Sequence, residues 1–345
     1  MPDPTEKALR NGFALPAVLA VTGVVTLVFL VAITALASLN AEARSARDRS
    51  RFIQRAMSAE ARLTYLVATE PMRQNGVLIN GPILMDPDAM VPEADGNLSE
   101  LVRLDGRPYL LDVEGPMLVR LQDQAGMINL AHLRGQTLTK FLEEVGIDAA
   151  QQGRIQARLI DYTDTDSLRQ PDGAEIDEYG PAGLANRHLR RASEFLSVLG
   201  VREMVEPRAW RRVRDELAAD KVQNSFNVNT AGPSALKVML DLNPSQIATL
   251  QREREISVLT DTSMVDSLVG SRLPWEDEVF YTAPSSAMMI VLSDTRSAWT
   301  YRARLSSTPV SLERPVWIDQ TEMTEAPRRV RADTTDAVRL PYTPY

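Results

Sequence analysis

The 345-residue chain contains no cysteine, which excludes disulfides, thiolate metal sites, iron–sulfur clusters and cysteine nucleophiles, and leaves the redox compartment undecided. Histidine is nearly missing too. His132 and His188 stand alone and far apart, so neither a zinc site nor a histidine-based triad is expected. Basic charge falls short: 38 Lys and Arg against 46 Asp and Glu leave the chain at −8. That disfavours a broad nucleic-acid-binding surface for the molecule as a whole, although not a local basic patch. The 44% apolar and 24% charged fractions are those of a folded protein and exclude a wholly disordered chain. The length leaves room for about two or three domains.

Charge is also missing locally. From Asn11 to Ala41 no side chain is ionisable, and Phe13 to Leu39 is mostly Ala, Val, Leu and Phe. At 1.5 Å per helical residue this run exceeds the ~30 Å hydrocarbon core of a bilayer, so it reads as a membrane span. Pro16 sits in its first turn, where a missing N–H does least harm. A cleaved secretory signal would want an apolar core of roughly 7–15 residues and a small-residue cleavage site. This run is too long and passes straight into a helical pattern. Lys7 and Arg10 precede it, whereas Arg44, Arg47, Arg49, Arg51 and Arg55 follow. A literal positive-inside count would put the large domain in the cytoplasm, and composition alone leaves the orientation open.

The junction Arg10-Asn11-Gly12-Phe13-Ala14-Leu15-Pro16-Ala17 resembles the class III signal of type IV pilins and secretion pseudopilins. The resemblance implies cleavage by a prepilin peptidase between Gly12 and Phe13 and methylation of the new N-terminal Phe13. It also implies that the apolar helix stays on the mature protein. Most pilins carry glutamate at the fifth mature position, which here is Ala17.

Glu42 to Ala68 continues as helix, with Phe52, Ile53, Ala56, Ala59, Leu63 and Leu66 near i, i+3, i+4 spacing. It is either a stalk packing on its own domain or the soluble half of a pilin spine, and both can hold. A Pro/Asp/Gly/Asn-rich loop over 81–99 follows. Pro108–Val113 and Met117–Leu121 around a Glu114-Gly115-Pro116 turn read as a hairpin. A second pair comes much later, Ala287–Leu292 and Trp299–Leu305, with a short strand at Val316–Ile318.

Between the pairs, over about 132–272, helical signals dominate: Leu138–Val145, Ala149–Tyr162, Ser193–Leu199, Pro207–Ala219, Pro233–Leu242 and Asn243–Gln251. A helical block flanked by strands suggests an inserted domain, with the outer strands closing one sheet. The last twenty residues read as a disordered tail. Met127-Ile-Asn-Leu130 and Phe226-Asn-Val-Asn-Thr-Ala231 echo each other: each reads as a short extended lead-in whose Asn or Thr caps the next helix.

Asp161 to Glu178 holds Asp161, Asp164, Asp166, Asp172, Glu175, Asp177 and Glu178 against one arginine. So many carboxylates repel one another unless solvent or a cation neutralises them, and Ca²⁺ takes six to eight oxygens from such loops. The spacing is not that of an EF-hand: Gly173 is misplaced and the twelfth-position glutamate is missing. A solvated acidic loop and a calcium site both remain open on the pattern alone. Paired carboxylates also serve hydrolases, but nothing nearby supplies a nucleophile or an oxyanion site, so an enzyme is not expected.

In order along the chain, these segments resemble the protein K family of minor pseudopilins of type II (general) secretion. The residues that carry it are the Gly12-Phe13 leader and apolar spine, Asn129-Leu130, and Leu159-Ile-Asp-Tyr-Thr-Asp-Thr-Asp166. They continue with Pro171-Asp-Gly-Ala-Glu-Ile-Asp177, Ala185-Asn186-Arg187, the Ser193-to-Val201 helix-turn, and Asn227-Val-Asn-Thr-Ala231. The resemblance implies an α+β fold: a long N-terminal transmembrane and spine helix, then a pilin-like antiparallel sheet interrupted by a large all-α insertion. That insertion is expected to be similar to SAM or helix-hairpin-helix domains.

On that basis the expected division is 1–12 leader, 13–40 transmembrane helix, 41–130 with 273–320 pilin-like domain, 131–272 helical insertion and 321–345 tail. The resemblance further implies structural Ca²⁺ in the acidic loop, with Asp164, Asp166, Glu175 and Asp177 the ligands by motif position and Asp161 and Asp172 next. The segment 179–186 is shorter than in typical members. Implied partners are other minor pseudopilins of the I and J types, the prepilin peptidase and inner-membrane lipid, with the soluble part in the periplasm and no nucleic acid. In pilin-like filaments the fifth-position glutamate is thought to neutralise a neighbour's buried N-terminal amine, so the apolar Ala17 implies a subunit at the filament tip. The competing expectation is a membrane-anchored DNA receptor built on helix-hairpin-helix units. Arg202, Arg208, Arg211, Arg212 and Arg214 supply charge for it, but Gly200-Val201-Arg202 lacks the second glycine of the phosphate-binding turn.

Overall fold

Between Gly23 and Pro71 the chain has neither glycine nor proline, so nothing interrupts a helix until Pro71 removes an N–H and restricts the residue before it. A computed structural model of the chain, which describes residues 14–79, 100–180, 183–273, 280–308, 315–325 and 334–341, has one helix there, α1 (Ala14–Thr69), of 56 residues. The 81–99 loop and the Gly12–Phe13 junction lie outside the described residues.

The chain divides by contacts into residues 1–55 and residues 56–345. In the first unit the apolar stretch of α1 is exposed along its whole length and is long and apolar enough to cross a membrane. In the second unit the continuing helix buries one face: Ala56, Ala59, Leu63 and Leu66 are fully covered. That face is tied to strands by Arg62, whose Nη1 donates to the Asp112 carbonyl at 2.7 Å, and by the Tyr301 hydroxyl on Glu60.

Beyond α1, strands β1 (Met72–Arg73), β2 (Gly76–Leu78) and β3 (Leu101–Arg103) form a small antiparallel sheet. The hairpin expected near residue 115 is present as β4 (Asp105–Asp112) and β5 (Pro116–Asp123). Glu114 and Gly115 both have positive φ, 51° and 106°, as a tight turn matching strand twist requires. After β5 come β6 (Ile128–Asn129), α2 (Gly135–Glu144), α3 (Ala149–Thr163), α4 (Ile176–Tyr179), α5 (Val201–Met204), α6 (Pro207–Val213), β7 (Leu217–Ala218) and β8 (Phe226–Asn227). Then follow α7 (Pro233–Leu240), α8 (Pro244–Ile256), α9 (Thr262–Val269) and β9 (Phe280–Tyr281). The chain returns to the sheet as β10 (Ala287–Ser293), β11 (Trp299–Ser307), β12 (Val316–Glu325) and β13 (Val338–Arg339).

The large sheet has the order β12-β11-β10-β5-β4-β13. The outer strands do close one sheet: β10 lies directly against β5, with Ile290 opposite Leu121 and Leu292 opposite Val119. The helices between them carry their own core, where Phe141 meets Phe195 edge-on at 5.2 Å and Trp210 stacks on Phe195 at 6.1 Å.

Several expectations need correction. The 131–272 segment is not purely helical, because β7 pairs in parallel with β6 and β8 with β9. Pairing with β6 is also why the helix starting at Pro207 stops at Val213 instead of Ala219. Ser193–Leu199 is a 3-10 helix over Ala192–Ser197. The short strand at 316–318 is ten residues long, since β12 pairs along the length of β11. The 321–345 segment is not a disordered tail throughout: 321–325 belong to β12, β13 pairs in parallel with β4, and Leu340 is buried. Finally, α9, capped by Asp261, was not anticipated.

Candidate functional site

The acidic loop starts where α3 ends. Asp161 lies in the last turn, fully buried, and both its oxygens accept from the Gln170 N–H, at 3.1 and 3.3 Å. Gly173 leaves the room for this: a Cβ there would fall 1.9 Å from Asp161 Oδ2. Asp164 terminates α3 with extended backbone. Asp166 turns the chain by accepting from the Leu168 N–H at 2.8 Å. Glu175 is the residue before α4, its N–H held by Glu178 Oε2 at 2.9 Å, and its side chain is buried.

Burial pushes the Glu175 carboxyl above its ordinary range, and the charges of Asp161, Asp164 and Asp166 push it further. Asp164 is raised in the same way, by desolvation and then by Asp166 and Asp161. Both oxygens of Glu175 and Oδ1 of Asp164 are buried without a hydrogen-bond donor among the described residues. Buried carboxylate oxygens left without donors are costly, and a cation is one of the few groups that could satisfy several at once.

Thus Asp161, Asp164, Asp166 and Glu175 share one electrostatic neighbourhood, with Asp166 at its exposed edge, whereas the exposed Asp172 and Asp177 are not among the charges that act on Glu175. Among the described residues no three acidic or imidazole side chains already converge as a finished metal cage. The donor chemistry and the orphaned oxygens fit a hard divalent cation; the side-chain positions would have to close around it.

Two further groupings escaped sequence reasoning. Asp123, at the end of β5, accepts from Thr230 Oγ1, Asn227 Nδ2, the Ser285 N–H and hydroxyl, and the Ala125 N–H. Its carboxyl is nonetheless raised, because burial outweighs those donors. Of the asparagines expected to cap helices, Asn227 donates to Asp123 and accepts from the Asn229 N–H, whereas Asn129 and Asn229 reach distant backbone. Asn129 Nδ2 donates to the Asp220 and Gln223 carbonyls at 2.7 and 2.6 Å, and Asn229 exchanges two bonds with Leu259. The residues before α2 and α7 are Arg134 and Gly232. The second grouping is a basic groove around Arg190, Arg191 and Lys221, whose only sequence signal is the Arg187-His-Leu-Arg-Arg191 run in an acidic chain.

Ala17 lies on α1 and is exposed.

Residues 97–213 match the family model for protein K of the type II secretion system. The type II secretion system protein K of Pseudomonas aeruginosa PAO1 is 27% identical over 248 residues, 69% of this chain and 70% of that protein. In structure, the chain is similar to one in the crystal structure of the GspK-GspI-GspJ complex of the type 2 secretion system of enterotoxigenic Escherichia coli. The TM-score is 0.50 at 15% identity, over 83% of this chain and all of that one. At that identity the likeness speaks for the fold. The resemblance to the protein K family is thus borne out by sequence and by fold.

Proposed function

We propose that this chain, a relative of protein K of type II secretion, is a non-enzymatic minor pseudopilin that caps the periplasmic pseudopilus tip and helps start its assembly. The observation that carries this is the state of α1. Its apolar stretch is uncovered and long enough to anchor a single-pass protein, and its continuation leaves a second apolar stripe bare. Met57 and Tyr65 are 59% and 57% exposed, and Ala61 and Ala68 complete the stripe at helical spacing. A helix with one face on its own domain and the opposite face apolar and open is built to pack against other helices. The similar Escherichia coli structure is a complex with GspI and GspJ, and I- and J-type pseudopilins are the partners proposed here.

Processing between Gly12 and Phe13 by a prepilin peptidase, with methylation of Phe13, belongs to the same reading. So does a tip position for a chain with Ala17 at the fifth mature residue: a subunit at the end has no neighbour on one side whose buried amine a glutamate would have to neutralise. The same reading puts the soluble part in the periplasm and makes the helices between β5 and β10 an inserted domain within 131–272 whose bulk would hinder a subunit stacked above. Calcium held by Asp164 and Glu175, with Asp161 and Asp166 beside them, would brace that insertion. The exposed Asp172 and Asp177 would have to swing inward to take part.

Mass spectrometry of the mature N-terminus tests the assignment. A methylated phenylalanine as first residue is expected, while an intact Met1 or a cut near residue 40 would sink it.

A further inference from the structure

Leu189 is buried and pins a segment whose neighbours Arg190 and Arg191 are exposed. Across from them stands the 219–222 turn, with Lys221 and a Val222 that is 82% exposed. Arg304 of β11 and Asp319 and Gln320 of β12 complete an open groove of about 610 Å³.

Its walls are fixed. Gln320 Nε2 donates to the Arg190 carbonyl at 2.9 Å, and Asn129 holds the turn by the Asp220 and Gln223 carbonyls. Arg304 grips both oxygens of Asp319, at 2.8 and 2.7 Å, and reaches Asp220 Oδ2 at 3.0 Å. The cations beside that floor differ in kind. Arg187 is paired with Glu194, but Arg190, Arg191 and Lys221 have no carboxylate partner among the described residues. Five basic side chains thus line the groove with two carboxylates, and with Arg187 and Arg304 paired three of them are left over, in a chain whose net charge is −8. Like charges held together by a rigid backbone cost energy that an anion recovers.

The anion is better matched by carboxylates than by phosphates. The groove offers no Phe, Tyr or Trp for a base to stack on, its one ring among the described residues being the His188 imidazole, whereas its strand edge and the exposed Val222 suit a polypeptide. Arginine takes carboxylates bidentately, and Val222 offers an apolar contact beside them. The floor includes the last strand of the sheet, which favours an extended ligand over a helical one. We propose that this groove receives an acidic, extended segment of a partner protein, with Arg190, Arg191 and Lys221 binding its carboxylates. The proposal does not depend on the pilus-tip reading.

The test uses the full chain in an uncharged detergent and a fluorescein-labelled Asp/Glu-rich dodecapeptide carrying two leucines, followed by anisotropy. Binding that weakens from about 50 to about 300 mM salt is expected. Combining Arg190→Glu, Arg191→Glu and Lys221→Glu should lower affinity roughly tenfold or more, and Lys221→Glu alone roughly threefold if the triple variant folds poorly. The same charge change on α6, as Arg208→Glu, Arg211→Glu and Arg212→Glu, should leave affinity within about twofold, because those side chains lie outside the groove. Three results would overturn the proposal: no binding of the acidic peptide, an equal loss in the α6 variant, or an oligonucleotide binding more tightly through the same three residues.

Discussion

Asparagine carries much of the tertiary organisation. Asn229 gives its amide N–H to the Leu259 carbonyl at 2.9 Å and takes the Leu259 N–H at 2.8 Å, all of it buried. Replacing it by alanine strands a backbone donor and an acceptor together. The Asn229→Ala variant is therefore expected to lose about 3 kcal/mol of stability, read as a lower urea midpoint at unchanged slope. Motif reading recognised these asparagines but gave them a local role as caps. The two-faced amide was legible; its partner thirty residues away was not. The carboxylates of the acidic loop pose the opposite case, legible in composition, with only the fold separating buried from exposed ones. If Asp164 and Glu175 hold calcium, a chelator should lower the melting temperature of the native chain, and Asp164→Ala with Glu175→Ala should abolish that response. A chelator response that survives the double change would dismiss these two ligands.

Among elements, the short parallel bridges explain what periodicity could not. Strands β6 and β8 are two residues each, too short for any alternation to register, yet β6 pairs with the β7 segment that follows the end of α6, and β8 pairs with β9 more than fifty residues on. Close approach reinforces this beside β6: a Cβ on Gly126 would meet the Thr230 carbonyl at 2.5 Å, so the two echoed motifs pass each other backbone to backbone. The clamp of Arg304 on Asp220 and Asp319 joins β11 and β12 to the 219–222 turn. Burial works to raise Asp319, and Arg304 and Ser306 overcome it; for Asp220 the Val222 N–H, Gln124 and Arg304 prevail in the same way. Both carboxyls thus lie below their ordinary value of 3.8. A depressed carboxyl contributes stability that is fully present above about 3.8 and lost as pH falls through the folded value. Urea midpoints measured from pH 6 down to pH 3 should accordingly fall less steeply at the acid end in Arg304→Met, which starts less stable at neutral pH. Parallel curves would show that the clamp contributes nothing.

For the whole molecule, the proposed function makes the open stripe of α1 the surface through which it associates. Ala61→Asp with Tyr65→Asp places charge where nothing is buried, so the melting temperature should move little, by about 2 °C or less. Co-purification with I- and J-type pseudopilins should nevertheless be lost, since burying two unpaired carboxylates in a helix interface is strongly unfavourable. Retained co-purification would move the interface to another face.

Sequence alone determined the apolar N-terminal stretch, the long unbroken helix, the hairpin β4–β5, the pairing of outer strands around a mostly helical middle and the family likeness. Those features follow from runs, periodicities and breakers that act over a few residues. Tertiary structure alone decided the role of the asparagines, the truncation of α6, the full length of β12, the return of the chain's end to the sheet beside β4 and the meeting of Arg190, Arg191 and Lys221 around one groove. Each of these depends on partners scores of residues away, whose contact free energy outweighs local preference and leaves no local pattern from which it could be read.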